Sequence, residues 1–310
     1  MSWERDPLFS KARLFFERAF DFDREDPRFG LWCALGIELL ARAALASVSP
    51  TLLAEPDDEH RHLLHALGRG AERLSHKSIG SAKVFALCRT LFDGFREEDQ
   101  RACTALLNRR NDELHTGGAP FDEYPTNVWL AGFYRACNAL ASALGETLEI
   151  VLGKDEAEIA AKTLAIDQND TKQRVASSIA AHKKVFDAKD PPEQTALQKN
   201  AAEQGERLAH HRYHRTVCPS CKSIALLQGD AFGKEHVSHG DDEIIVKQSV
   251  APTSFSCLAC GLKLSGFSEL TEAGLSGHYT RTTMFTPEDY YGLVNLEQWL
   301  SEQGSEYDNE

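Results

Sequence analysis

Two Cys-x2-Cys pairs, Cys218 with Cys221 and Cys257 with Cys260, constrain this 310-residue chain more than any other feature. Such a pair bends the backbone into a knuckle that aims both thiolates at one ion, and two knuckles complete a tetrahedral set. The spacing therefore predicts one structural Zn2+ per chain, held by Cys218, Cys221, Cys257 and Cys260, with no open position for catalysis by the metal. Gly261, directly after the last cysteine, suits the tight turn of a knuckle. A redox pair or a disulfide is disfavoured by the paired spacing and by a reducing compartment. The 35 residues between the pairs exceed the usual zinc-ribbon gap, and a hairpin loop inserted near residues 229–242 accounts for the excess.

Around these knuckles the composition turns to glycine, serine and β-branched runs such as Glu243-Ile244-Ile245-Val246-Lys247, the signature of short strands. The first half reads differently. Helical stripes run through Leu14, Phe15, Ala19 and Phe22, and through Leu31, Ala34, Leu35, Leu39, Ala43 and Leu45. In the second of these helices Glu38 and Arg42 form an i,i+4 pair, and Ser49-Pro50 stops it. Shorter helices follow through His60–Leu67 and Ile79–Phe95. The stretch Glu97–His115 is expected to turn Cys103, Leu106, Leu107 and Leu114 to the core, and Val128–Leu152 reads as one long helix. The remaining cysteines, Cys33, Cys88, Cys103 and Cys137, lie singly in apolar surroundings and are expected to be buried core thiols.

The fold class that follows is mainly α: a helical bundle over residues 1–153, a helical bridge over 154–215, a small β-rich zinc ribbon over 216–284, and a last helix with an acidic tail over 285–310. The bridge is rich in alanine, lysine, glutamate and glutamine, which predicts two or three exposed helices. Thr286-Pro287-Glu288-Asp289 is a good start for the last helix, expected to reach Gln303.

The chemistry-bearing segment of the bundle is Arg110-Asn111-Asp112-Glu113-Leu114-His115. Asn111 and His115 are four apart and share a helix face, whereas Arg110 points well round the cylinder. One copy of the helix does not converge all three groups; two facing copies can. Thr116-Gly117-Gly118-Ala119-Pro120 follows as a helix stop, with glycines suited to a left-handed cap. The plain alternative is a surface arginine and a histidine that caps the helix end.

Other histidines invite weaker readings. His60, His62 and His65 could suggest a metal, but no carboxylate or cysteine cluster accompanies them, and packing or capping is the plainer role. His210-His211-Arg212-Tyr213-His214 could contact RNA by stacking and charge, or simply be a solvated helix end.

A net charge of −13 argues against an indiscriminate nucleic-acid coat, since such binding is driven by phosphate neutralisation. Local arginines such as Arg101, Arg109 and Arg110 can still build a compact positive site. The polar start of the chain carries no signal peptide, and Glu38 and Arg42 interrupt the most apolar run. The expectation is a soluble, cytoplasmic protein with no membrane segment.

The first half, roughly residues 8–153, resembles a HEPN domain, the helical fold of many bacterial defence and toxin ribonucleases. Three features carry the resemblance: the Arg-Asn-x3-His signature at Arg110, Asn111 and His115, the helix Ala34–Ala43, and the long amphipathic helix after the motif. It implies a homodimer formed through the bundle, with a composite site that cleaves RNA by attack of the ribose 2′-hydroxyl and needs no metal. His115 would be the general acid or base, Arg110 would neutralise the phosphoryl group, and Asn111 would orient one or the other. Glu38 would support Arg110 from behind, although pairing with Arg42 is its plainer role. The resemblance further implies a toxin or anti-phage effector with an RNA substrate and a trigger or inhibitor protein. Competing readings are a non-catalytic dimeric adaptor that binds RNA or protein, and a zinc-ribbon transcription regulator.

Overall fold

The computed structural model describes residues 3–69, 76–209, 213–240 and 243–292. It is mainly helical with a small antiparallel sheet, and it divides into two compact units, Met1–Asp170 and Thr171–Glu310. The boundary lies inside a long helix, within the segment read as a bridge.

In the first unit, α1 (Arg5–Phe20) and α2 (Pro27–Val48) lead to a 3-10 turn (Pro50–Leu53), α3 (Arg61–Ala66), α4 (Ser81–Leu91) and α5 (Glu97–His115). Then come α6 (Thr126–Ala143), α7 (Leu148–Leu152) and the first half of α8 (Lys154–Asp187). Helix α2 is central, packing against α1, α4, α5 and α6. Asp26 starts it, its carboxylate accepting the Arg28 amide at 2.9 Å, with Pro27 in the first turn. By length and composition α2 could cross a membrane, yet 56% of its most apolar window is buried inside this unit.

The α1 stripe lies in a different phase from the expected one. Phe9, Ala12, Phe16 and Ala19 are buried, and Leu14 is 43% exposed. The phase is set by a notch in α2: a Cβ on Gly36 would fall 2.4 Å from the Phe16 ring, so only glycine admits Phe16 there. Cys33, Cys88, Cys103 and Cys137 are buried free thiols, as expected.

The expected helix Val128–Leu152 is two helices. Gly145 adopts φ +72°, and the amide of Glu146 bonds back to the Ala141 carbonyl at 2.9 Å, a left-handed helix stop. Thr147 then caps α7, accepting the Ile150 amide. Burial of Ala160 and two bonds to Glu156 tie the start of α8 into this core: Tyr134 Oη donates to one carboxylate oxygen and Arg24 Nη2 to the other, each at 2.5 Å.

The second unit holds the rest of α8, then α9 (Pro191–Ala209) and a five-stranded antiparallel sheet. Its strands are β1 (His214–Val217), β2 (Ile224–His239), β3 (Ile244–Ser256), β4 (Lys263–Ser265) and β5 (Tyr279–Phe285). β1 pairs β2, β2 pairs β3, and β4 and β5 share the far edge of β3 at different heights. Two short helices, α10 (Phe267–Glu272) and α11 (Pro287–Tyr291), complete it. The described part of the bridge holds two helices, α8 and α9, within the two or three expected, and they are largely exposed. However, they bury Val175, Phe186 and Ala201 in a core shared with Leu227, Phe255, Leu262, Leu264 and the cysteines.

Residues 229–239 of the expected loop are instead strand, and residues 241–242 lie outside the described residues. β2 continues to His239 through two register shifts, after Gln228 and after Phe232. At the first, a Cβ on Gly229 would sit 2.1 Å from the Ala251 carbonyl oxygen, so a side chain is excluded. The last helix is described as far as Tyr291, and its expected continuation to Gln303 lies outside the described residues.

Candidate functional site

Cys218, Cys221, Cys257 and Cys260 converge, all four sulfurs lying within 4.8 Å of one another. Cys218 Sγ is 3.7 Å from Cys260 Sγ and Cys221 Sγ is 3.5 Å from Cys257 Sγ, far beyond the roughly 2.05 Å of a disulfide. A tetrahedral ion with metal–sulfur bonds of about 2.3 Å places its ligands about 3.8 Å apart. The set fits such an ion and could hold a metal.

The two knuckles are built alike. The Lys222 amide bonds to the Cys218 carbonyl at 3.1 Å and the Gly261 amide to the Cys257 carbonyl at 2.9 Å. Both turns end in a left-handed residue, Lys222 at φ +61° and Gly261 at φ +79°. The expected glycine thus serves one knuckle, and a lysine bears the same conformation in the other. Ser220 Oγ donates to the Ile179 carbonyl of α8 at 3.1 Å, seating the first knuckle on the helix.

The Arg110 motif occupies the end of α5. At the start of that helix the Arg96 amide donates to Asp99 at 2.9 Å, and Arg135 Nε donates to the other oxygen of Asp99 at 2.7 Å. Cys103, Leu106 and Leu107 are buried as expected, but Leu114 is 52% exposed. The reason is positional: residues 111, 112 and 114–119 are all exposed, so the last turn of α5 extends past the packed core. The helix stop is also not a left-handed glycine. Neither Gly117 nor Gly118 has a positive φ, and Thr116 closes the helix by donating its amide and hydroxyl to the Asp112 carbonyl.

Arg110 points into the bundle. Its Nη2 donates to Glu38 Oε2 at 2.5 Å, and the two side chains are 16% and 14% exposed. The other oxygen, Glu38 Oε1, takes Arg42 Nε at 3.0 Å and Nη2 at 2.9 Å. Glu38 therefore serves both arginines. Arg42 is anchored in turn by Ser78 Oγ at 3.1 Å and the Ile79 carbonyl at 3.0 Å. Two guanidinium groups thus share one carboxylate beneath the last turns of α5. The Nε of Arg110 is buried and makes no hydrogen bond among the described residues.

The side chains of Asn111 and His115 lie in solvent, neither bonded to another described residue. At about 100° per residue they are about 40° apart on the helix, and Arg110 is about 140° from His115. One chain does not bring the three groups together. Beside them Arg109 lies 3.3 Å over the Tyr124 ring. The anchoring role of Ser78 and Ile79 had no signal in the sequence, because it depends on a distant segment folding under α2.

Of the three histidines near α3, His60 is exposed in a left-handed conformation, φ 53°, and the other two have packing partners. His62 is buried and its Nδ1 accepts the Lys77 amide at 3.3 Å, and His65 stacks on His76 at 3.6 Å. Among the described residues only the four cysteines converge as a set of three or more metal ligands. His214 stacks on Tyr279 at 4.3 Å, while His210, His211 and Arg212 lie outside the described residues.

No protein-family model, curated protein or solved structure matches this chain.

Proposed function

We propose that this protein is an endoribonuclease of the HEPN type, acting as a homodimer in which two α5 ends face each other. One observation carries the reading: Arg110 is held by Glu38 while Asn111 and His115 stand in solvent on the same final turns. A second copy supplies what one chain lacks, a histidine facing the arginine across the interface.

In the reaction, the ribose 2′-oxygen forms a bond to the adjacent phosphorus and the bond from phosphorus to the 5′-oxygen breaks. A histidine accepts the 2′-proton and a histidine donates one to the leaving oxygen, as general base and general acid. The products are a 2′,3′-cyclic phosphate and a 5′-hydroxyl. Arg110 offsets the charge that builds on the phosphoryl oxygens, and Asn111 orients the histidine or the phosphate. The chemistry calls for no metal.

The cysteine set holds one structural Zn2+, closed to substrate. The surrounding ribbon recognises RNA or a trigger, in keeping with a cytoplasmic toxin or anti-phage effector restrained by a partner protein. A second reading, a non-catalytic dimeric adaptor, draws on the same ion pair: Arg110 is already engaged and mostly buried, which limits its reach towards a phosphate.

Incubation of purified protein with total tRNA and a structured RNA in EDTA, beside His115→Ala, tests the reading. Cleavage by the wild type alone, leaving 2′,3′-cyclic ends, is expected. Intact RNA after incubation with a folded, metal-loaded dimer would favour the adaptor.

A further inference from the structure

The part of the sheet formed by β2, β3 and β5 has two unlike faces. On one, Ile244, Val246 and Val250 are buried, and Tyr290 and Tyr291 of α11 pack near Phe285 and His239. On the other, the register sets out two rows, Phe232–Ser249–Thr280 and His236–Lys247–Thr282. Side chains alternate along β3, so residues 247 and 249 face away from the buried 244, 246 and 250. All of these row residues except the half-buried Phe232 are exposed. His278 adds an exposed ring, 4.6 Å from Phe232 and tilted by 58°.

This open face is aromatic, hydroxylic and free of carboxylates across both rows, on a chain whose net charge is −13. The nearest acidic groups flank it: Asp230 lies one row beyond Phe232, and Glu235 lies in the bulge beside Lys234. We propose that it binds a single-stranded segment of RNA. Phe232 and His278 offer ring faces for stacking bases, Lys247 offers a charge for phosphate, and Thr280, Thr282 and Ser249 offer hydroxyls. A protein partner would seek apolar area, which lies one row further on at Ile245 and the 69% exposed Met284, whereas the two rows themselves contain a single large apolar side chain, Phe232. The choice of RNA rests on the ribonuclease reading, but the binding is separable from cleavage.

Full-length His115→Ala protein, which removes cleavage from the measurement, is titrated against a fluorescein-labelled single strand of about 12 nucleotides and followed by anisotropy. Phe232→Ala and Lys247→Glu are expected to weaken binding about tenfold and about fivefold, and Ser249→Arg to tighten it. Lys263→Glu, on β4, serves as the control, and metal content verifies each fold. Unchanged affinity in all three face variants, or absence of saturable binding to the parent, overturns the proposal. Cleavage by wild type with unchanged face-variant affinity would remove this inference alone; face-dependent binding without cleavage would remove the ribonuclease reading alone.

Discussion

Glu38 and Arg110, 72 residues apart in sequence, meet at 2.5 Å where α2 crosses α5, while the second oxygen of Glu38 holds Arg42 on its own helix. One carboxylate thereby orients the motif arginine and ties it to a fixed anchor. Rotating Arg110 towards solvent requires breaking a largely buried ion pair.

Glu38→Gln should expose the strength of that link. It leaves two guanidinium groups, 12% and 16% exposed, without the carboxylate they share, at a cost of about 3 kcal/mol, the low end for a buried pair because both keep some contact with water. Urea unfolding should show a lower midpoint, and RNA cleavage should fall with it. A variant as stable as wild type would mean that water screens the triad and that Arg110 is not held.

Gly36→Ala tests the packing that places α2. Its methyl would enter the space of the Phe16 ring, and overpacking of this kind costs about 1–3 kcal/mol. Thermal unfolding is the measurement; an unchanged melting temperature would show that Phe16 moves aside freely.

The start of α2 carries a pH signature. Arg28 holds the Asp26 carboxyl below its ordinary range, through side-chain and backbone hydrogen bonds. A depressed folded pKa contributes stability above the unfolded value, about 3.9, and that contribution is lost as pH falls through the lower folded value. Asp26→Asn keeps a capping oxygen but does not titrate. Wild type should therefore melt above the variant at pH 6, and the gap should close on acidification below pH 4. A gap independent of pH would assign the difference to something other than this carboxyl.

Cys257→Ser should separate the two units. On the proposed zinc site, loss of one thiolate should lower bound zinc from about one ion per chain to near none, because a structural site needs all four ligands. Hydrogen exchange should rise around Leu227, Phe255 and Leu264 while the core around Phe16, Ile37 and Leu40 stays protected. Full zinc occupancy in the variant would show that three cysteines suffice.

Local rules carried much of this protein. The bounds of α5 at Glu97 and His115, the stop of α2 before Pro50 and both knuckles follow from spacing and caps, which depend on near neighbours in the chain. The break of α6 was also written locally, in Leu144-Gly145-Glu146-Thr147, but the apolar repeat running through it masked the stop.

What required the third dimension was the choice among equivalent faces. Periodicity allows several stripes on α1, and the Gly36 notch selects the one with Phe16. Leu106, Leu107 and Leu114 share one stripe, and only the length of the packed core decides that Leu114 stays in water. Glu38 had a sufficient partner within its own helix, so its bond to Arg110 came from the crossing of α2 and α5. The sequence by itself determined most helix bounds and the convergence of the four cysteines, because those are set within a few residues. Tertiary structure decided which side chains meet, because burial and ion pairing between distant segments are settled only when whole faces pack.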